Sequence, residues 1–174
     1  MKRNRPSPKI PGELARGELA IIEAIRRRAG PGKSGSLRLG IGDDCAILRP
    51  GPGQEICVTT DFSLEGVHFR RDWHPPEAVG HRCLARGLSD LAAMGAEPLG
   101  VFLSLALPAR ISAAWVDRFL DGFMALAAQH RVTLAGGDTA QSAGLMAADI
   151  VAVGQAPRGK ALLRSGARVG DVLW

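Results

Sequence analysis

Tyrosine is absent from the 174-residue chain, and only three tryptophans and five phenylalanines are present. Proteins that bind single-stranded nucleic acid stack bases on aromatic side chains, so this composition argues against a nucleic-acid partner. No apolar run reaches the length of a membrane span, which argues against a membrane partner. The three cysteines form no CxxC pair, and their odd number predicts a reducing, cytoplasmic location. No zinc signature or nucleophile elbow is present either.

A strong acidic or basic bias is also missing, since the formal net charge is only +5. The basic residues that stand out lie near the N-terminus and in one predicted helix: Lys2, Arg3, Arg5, Lys9, Arg26, Arg27 and Arg28. A solvated tail with a cationic helix end is the favoured interpretation, and a nucleic-acid surface or attraction of anionic nucleotides remain alternatives. The GKS sequence at 32–34 is not a P-loop, because Arg27 stands where that motif needs glycine.

The order of predicted elements indicates an α+β domain with a mixed β-sheet packed against helices. Residues 1–16 are predicted to be a disordered basic tail, residues 17–155 the domain, and residues 156–174 the start of a second domain. The predicted helices begin near Gly17, Pro75 and Ser112, and the predicted strands cover 45–48, 56–60, 99–107, 132–134 and 148–154. The nearly continuous apolar run at 99–107 predicts a strand buried on both faces. The final GDVLW is predicted to begin another strand.

Four short acidic motifs carry the chemistry: GDD at 42–44, TTD at 59–61, LSD at 88–90 and GGD at 136–138. Each aspartate alone is usually a turn or cap residue. Together, at the ends of apolar segments, they predict carboxylates gathered at one edge of the sheet. Mg²⁺ prefers such oxygen ligands together with substrate phosphates, so the sequence predicts a magnesium site that binds phosphates.

The individual motifs differ in what they offer. Asp43 and Asp44 are consecutive, so only one of them is expected to face a metal while the other caps the turn. Asp90 lies beside the apolar face of its predicted helix and needs a partner there, since an unpaired buried charge is costly. Asp138 follows two glycines, which allow a phosphate to approach the backbone closely.

Five segments together resemble thiamine-monophosphate kinase: GIGDDCAIL, VTTDFSLEGVHF, LSDLAAMGAEPLG, LAGGDT and ALLRSGARVGD. The resemblance runs from about Gly17 to the C-terminus, and TTD followed by EGVHF is its most specific part. It implies the N-terminal domain of the aminoimidazole ribonucleotide synthetase-like fold, with a sheet that forms a barrel-like structure in a homodimer. It further implies a transferase that moves the γ-phosphate of ATP onto thiamine monophosphate, giving thiamine diphosphate for thiamine biosynthesis.

The resemblance also implies roles for individual residues. The residues that would bind several Mg²⁺ ions are Asp44, Thr59, Thr60, Asp61, Asp90 and Asp138. His68 would contact the substrate, and Gly137, Asp138 and Arg164 would contact ATP, which is the co-substrate. No residue is assigned as an acid or base, because the acceptor phosphate oxygen is already ionised near neutral pH.

Two departures from the family pattern bear on function. The family often has asparagine before LSD, where this chain has Arg86-Gly87, and we expect close packing to explain the glycine. The family also continues into a C-terminal domain, so we expect this chain to be an incomplete N-terminal half that is inactive alone. Two alternatives are a non-catalytic dimerising module that binds nucleotide and Mg²⁺, and a sister ATP-dependent enzyme such as selenophosphate synthetase.

Overall fold

The computed structural model describes residues 17–30 and 36–172, so the predicted tail at 1–16 and the GKS sequence lie outside the described residues. These described residues form the α-helices α1 (Glu18–Ala29), α2 (Pro76–Ala93) and α3 (Ala113–Gln129). They also form the strands β1 (Leu37–Leu39), β2 (Ile47–Leu48), β3 (Gln54–Leu64), β4 (Glu97–Pro108), β5 (Leu134–Ser142) and β6 (Ala147–Pro157). The predicted α+β class with a mixed sheet is confirmed.

The main sheet has four strands in the order β3-β6-β4-β5, and β1 and β2 form a separate antiparallel pair. β6 is antiparallel to both β3 and β4, whereas β4 and β5 are parallel. β3, β4 and β5 therefore share one direction, with α2 connecting the first two and α3 the last two. Both crossovers move across the sheet in the same direction, so right-handed connections place α2 and α3 on the same face.

The core lies between this helix pair and the sheet. Alternate residues of β6 face the helices and are fully buried, and they are mostly small: Ala148, Ile150, Ala152, Gly154 and Ala156. α3 contributes a stripe of buried residues at helical spacing: Val116, Phe119, Leu120, Phe123, Leu126 and Ala127. Small side chains on β6 allow α2 to approach the sheet closely, which matters for the residues that α2 presents to β3.

Two glycines bring α2 and α3 into close contact. A Cβ atom on Gly80 would meet the Phe119 carbonyl oxygen at 1.9 Å, and one on Gly122 would meet the Glu77 carbonyl oxygen at 2.0 Å. Beside this contact the Arg118 guanidinium donates to both carboxylate oxygens of Glu77, at 2.6 and 2.9 Å. The position of α2 is therefore fixed by backbone contact with α3.

On the opposite side of the sheet, which we call the open face, none of the described helices covers β3. Three large apolar side chains of β3 point outward there, and Ile56, Val58 and Phe62 are 47%, 64% and 57% exposed. The predicted burial of β4 on both faces is wrong, because its burial alternates and only the side facing the helices is fully buried along its length. The reason is that α2 and α3 both lie on the same face of the sheet. Neither of these crossover helices is therefore packed against the other face of β4.

Other sequence expectations were wrong at element ends. TTD lies in the middle of β3 and GGD lies within β5, so neither motif follows its strand. Residues 170–172 of the final GDVLW belong to no strand, and 173–174 lie outside the described residues. Among the described residues, no helix is long and apolar enough to span a membrane.

Candidate functional site

The first group of predicted site residues lies where α2 packs on β3. Thr59 and Asp61 are two residues apart on the strand and therefore point to the same side, toward the helix. The Thr59 hydroxyl donates to Asp90 Oδ2 at 2.5 Å, and the Arg86 guanidinium donates to Asp61 Oδ1. We call Thr59, Asp61, Arg86 and Asp90 the α2–β3 cluster. Its two carboxylates each have a partner, and the predicted need of Asp90 for one is met by a hydroxyl.

Thr60 is separated from this cluster by strand alternation. It points to the open face, where its hydroxyl donates to Asp149 Oδ1 at 2.8 Å. Asp149 was not predicted as a site residue, although a single carboxylate within the apolar strand sequence ADIVAVG was a signal for it. Asp149 is the register partner of Ser104, which in turn is the partner of Asp138, so these three side chains form one row across the open face.

The second group surrounds a cavity of about 480 Å³ beside β5, which we call the β5 pocket. It is lined by α1, the GDD loop, β4 and β5, and Asp44 and Asp138 both contribute to it. Asp43 Oδ1 accepts from the Asp44 amide N–H at 2.9 Å, so Asp43 caps the turn as expected of one residue of the pair. Asp138 Oδ1 accepts from the Thr139 amide N–H at 2.8 Å.

Glycine is required at the floor of this pocket. Gly137 has φ +148°, and a Cβ atom there would lie 1.9 Å from the Leu103 carbonyl oxygen. The β5 backbone therefore runs against β4 at a distance that no other residue tolerates. This contact holds Asp138, the next residue, on the side of the open face.

The two groups of carboxylates lie at opposite edges of the sheet. Asp61 is in register with Ile150 and Leu103, and Leu103 is in register with Gly137, so the row crosses all four strands. Three strand spacings separate the ends of this row by about 14 Å. Within residues 17–30 and 36–172, no three His, Cys, Asp or Glu side chains are placed to hold a metal ion. The carboxylates expected at one edge are thus divided between two edges within one chain.

The donor atoms fit Mg²⁺ at some of the predicted positions. Asp44, Asp90 and Asp138 make no ion pair with any described residue, and carboxylate and hydroxyl oxygens are the ligands that Mg²⁺ prefers. Asp61 does not fit in the same way, because a guanidinium already neutralises it.

His68 is oriented by the backbone of its own loop. The Leu64 amide N–H donates to His68 Nδ1 at 3.0 Å, which places the proton of the neutral ring on Nε2. Glu65 fixes the same loop, because its Oε2 accepts from the Met146 amide N–H at 2.9 Å and its Oε1 accepts from Arg71 at 2.6 Å. The EGVHF segment is therefore attached to the start of β6.

Arg164 begins a short exposed 3-10 helix, Arg164–Gly166, and does not line the β5 pocket that Gly137 and Asp138 line. The Leu162 amide N–H donates to the Met94 carbonyl oxygen at 2.9 Å. This bond places the segment before Arg164 at the C-terminal end of α2.

The cysteines differ in environment. Burial raises the pKa of the Cys83 thiol to about 12. Cys57 is half-buried, whereas Cys45 is exposed and lines the β5 pocket. Cys45 is exposed because it lies on the GDD loop and not within a packed strand.

Residues 42–156 match the family described as AIR synthase related protein, N-terminal domain. The chain belongs to this family. The match begins at the GDD loop and ends in β6, so it includes both carboxylate groups.

Two curated relatives illustrate the similarity of this chain to known proteins. The chain is 42% identical over 130 residues to thiamine-monophosphate kinase of Synechococcus elongatus, covering 75% of this chain and 39% of the relative. It is 37% identical over 161 residues to thiamine-monophosphate kinase of Escherichia coli K12, covering 92% of this chain and 48% of the relative. The resemblance identified from the motifs is confirmed, and the chain spans about half the length or less of these relatives.

Solved structures of thiamine-monophosphate kinases also resemble this chain. Thiamine-monophosphate kinase from Stenotrophomonas maltophilia K279a aligns with a TM-score of 0.70 at 42% identity, over 87% of this chain and 45% of that one. A structure described as AaThiL complexed with AMPPCP and TMP aligns with a TM-score of 0.64 at 31% identity, over 89% of this chain and 46% of that one. The hydrogenase maturation protein HypE in complex with ATP shares the fold, with a TM-score of 0.67 at 18% identity, over 83% of this chain and 41% of that one.

Proposed function

We propose that this chain is the Mg²⁺- and nucleotide-binding part of an ATP-dependent kinase that converts thiamine monophosphate to thiamine diphosphate. The observation that carries this proposal is its 31% identity to the structure described with AMPPCP and TMP. In this proposal residues 17–155 form the Mg–ATP-binding domain, and residues 156–174 lead into a further domain. The enzyme acts in the cytoplasm in thiamine biosynthesis.

The reaction joins two anions, so charge neutralisation is the main task of the site. Bound Mg²⁺ would supply most of that neutralisation. The residues proposed to hold it are Asp44, Thr59, Thr60, Asp90 and Asp138. The acceptor phosphate oxygen is already ionised near neutral pH, so in this proposal it needs no general base.

The remaining proposed contacts orient the two substrates. Gly137 and Asp138 contact ATP from the β5 pocket, and Arg164 contacts it with a planar donor fork that suits phosphate. His68 donates from Nε2–H to the substrate, because its Nδ1 is already bonded to the Leu64 amide.

We propose a homodimer formed through the open face. Exposed Ile56, Val58 and Phe62 give this face the apolar character of a protein interface. Pairing two such faces would bury these side chains and stack two four-stranded sheets as a barrel-like structure. Asp138 and Asp149 lie on this face, so both carboxylates would face a second copy of the chain.

A specific observation favours a second candidate, a dimerising module that binds Mg²⁺ and nucleotide without turnover. The described part of one chain assembles no metal site of three acidic, cysteine or histidine ligands, and the chain spans half of its relatives or less. A third candidate is a sister enzyme that acts on another acceptor, because this chain also shares its fold with HypE.

The test is phosphorus NMR of the chain with ATP, Mg²⁺ and thiamine monophosphate, both alone and with the C-terminal half of the E. coli relative. Thiamine diphosphate and ADP forming together in either reaction supports the kinase. ADP formation that does not depend on thiamine monophosphate contradicts it and favours a sister enzyme.

Calorimetric titration with a non-hydrolysable ATP analogue, with and without Mg²⁺, separates the module from the kinase. Magnesium-dependent binding without turnover in either reaction supports the module. A folded chain that fails to bind the analogue both alone and together with the C-terminal half of the E. coli relative contradicts both candidates.

A further inference from the structure

Arg86 introduces a positive charge into the α2–β3 cluster. Its guanidinium contacts the Asp61 carboxylate, and the two side chains are only 28% and 23% exposed. Arg86 and Asp90 are one turn apart on α2, so they present a cation and an anion to the same stretch of β3. On the strand, Asp61 accepts from Arg86 and Thr59 donates to Asp90, so the strand partners run in the reverse order of the two helix residues.

The geometry of α2 keeps Arg86 at this position. Gly87 packs against β6, where a Cβ atom would lie 3.1 Å from Ala152 Cβ and 3.4 Å from the γ-carbons of Ile150. Cys83, one turn before Gly87, is fully buried. This packing places α2 directly on the sheet, with Arg86 beside β3.

A guanidinium and a divalent cation compete for the same carboxylate. Arginine remains protonated at every relevant pH, so it keeps its charge beside Asp61. A partly buried carboxylate that is already paired gains less from a second cation than a free carboxylate does, and like charges close together repel. Among residues 17–30 and 36–172, no guanidinium pairs with Asp90 or Asp44.

We propose that Arg86 takes the place of a divalent cation at Asp61, so that this chain neutralises one carboxylate with its own side chain and binds metal only through the others. The guanidinium then cancels the charge of Asp61 before any metal arrives, and Asp90 is the carboxylate of the cluster that remains for a cation. The inference deepens the proposed function, on which its relevance to a nucleotide rests. Its test uses metal alone and does not depend on turnover.

The experiment measures Mn²⁺ binding by the electron paramagnetic resonance signal of the free ion, without nucleotide or thiamine monophosphate. Arg86→Gln is expected to bind a further Mn²⁺ ion per chain, with an affinity about tenfold or more above any such binding by the wild type. The double variant Arg86→Gln/Asp61→Asn is expected to lose that ion. Asp61→Asn alone is expected to leave Mn²⁺ binding unchanged.

Two control variants separate this effect from a general change of charge. Arg82→Gln removes the same charge one turn earlier on α2, where the guanidinium donates to the His68 carbonyl oxygen at 2.8 Å and contacts no carboxylate. It is expected to gain no ion. Arg86→Lys keeps a cation at the position and is also expected to gain none. Circular dichroism confirms that each variant is folded.

Equal Mn²⁺ binding by the wild type and folded Arg86→Gln would overturn the proposal. So would a loss of Mn²⁺ binding in Asp61→Asn alone, because Asp61 would then coordinate metal despite Arg86. If Arg86→Gln does not fold, the Asp61→Asn measurement still decides. A chain without kinase activity that gains the ion in Arg86→Gln supports this inference while contradicting the proposed function.

Discussion

Each aspartate of the site is distinguished by the group that satisfies it. Asp61 has a guanidinium, Asp90 a threonine hydroxyl and Asp138 a backbone amide of the next residue. A hydroxyl or an amide N–H leaves most of the negative charge available, whereas a guanidinium cancels it. The aspartates would therefore be unequal as the proposed metal ligands, although their sequence motifs look alike.

Asp90→Asn tests the carboxylate that keeps its charge. The variant keeps an oxygen that can accept from Thr59, so we expect the unfolding free energy to change by less than about 1 kcal/mol. Magnesium-dependent binding of a non-hydrolysable ATP analogue is expected to weaken by about tenfold or more, because a hard cation loses an anionic ligand. Calorimetry measures the affinity of the variant and of the wild type for the analogue.

Glu55→Gln is the matched control for that experiment, since it removes an exposed charge from β3 without touching the cluster. Equal binding by Asp90→Asn and this control would contradict a metal role for Asp90.

Cys83 gives a prediction for stability at alkaline pH. Burial raises the pKa of its thiol from 9.0 to about 12, so the unfolded chain releases this proton first as the pH rises. Stability is fully present below about pH 9 and falls by up to about 1.4 kcal/mol per pH unit above it. Cys83→Ala is expected to remove this part of the pH dependence, measured as urea unfolding free energy between about pH 8 and pH 10. Cys45→Ala, which removes an exposed thiol, is expected to leave the slope unchanged.

At the scale of residues, the sequence indicated which side chains offer oxygen atoms to a metal, but not which groups hydrogen-bond to them. Strand alternation, applied to TTD, would have placed Thr60 opposite Thr59 and Asp61, and would have drawn attention to Asp149. The Arg86–Asp61 pair was beyond sequence reasoning, because it depends on how α2 is aligned on β3. That alignment is set by packing between residues far apart in the chain.

At the scale of elements, the contact between α2 and α3 fixes the cluster. Gly80 touches the Phe119 carbonyl and Gly122 touches the Glu77 carbonyl, so the two backbones meet without side chains between them. Any increase in this separation would shift Arg86 and Asp90 relative to β3.

Gly80→Ala is expected to destabilise the fold by about 3 kcal/mol, because its Cβ atom would overlap a backbone oxygen that cannot rotate away. Gly87→Ala is the comparison, since its Cβ atom would meet only side-chain atoms at 3.1 Å and beyond. It is expected to cost about 1 kcal/mol. Thermal unfolding of both variants measures the difference, and equal losses would contradict a backbone contact at Gly80.

Elements with strong periodicity were predicted well from the sequence. α3 begins at the predicted position, since Ser112 Oγ caps the helix by accepting from the Trp115 amide N–H at 3.2 Å. Its apolar stripe is buried. Strand ends were predicted poorly where glycine or polar residues continue a strand, as in β5. Its GGDTA residues stay extended because they pair with β4, a non-local contact that local propensity does not contain.

At the scale of the whole molecule, the proposed homodimer depends on the open face. Two crossover helices on one face leave the other face of the sheet to be covered by something else. The fold class was predictable from the element order, whereas the apolar character of this face became visible only when the register placed Ile56, Val58 and Phe62 together.

Val58→Lys is expected to shift the chain from dimer to monomer, because a charge at the centre of an apolar interface loses its water without gaining a partner. Sedimentation velocity measures the mass. Leu19→Lys is the control, because Leu19 is 82% exposed on α1 and away from the sheet. Equal masses for the two variants, whether monomeric or dimeric, would contradict an interface on the open face.

The bond between the Leu64 amide and His68 Nδ1 also limits which ligands the EGVHF loop can accept. The ring offers only an N–H to its surroundings, and it cannot offer a lone pair without giving up a backbone bond. A ligand atom that approaches Nε2 must therefore be an acceptor, such as a phosphate oxygen or an unprotonated ring nitrogen. An amine or a bare cation would meet a hydrogen atom there, so a single backbone amide selects among ligands that it never touches.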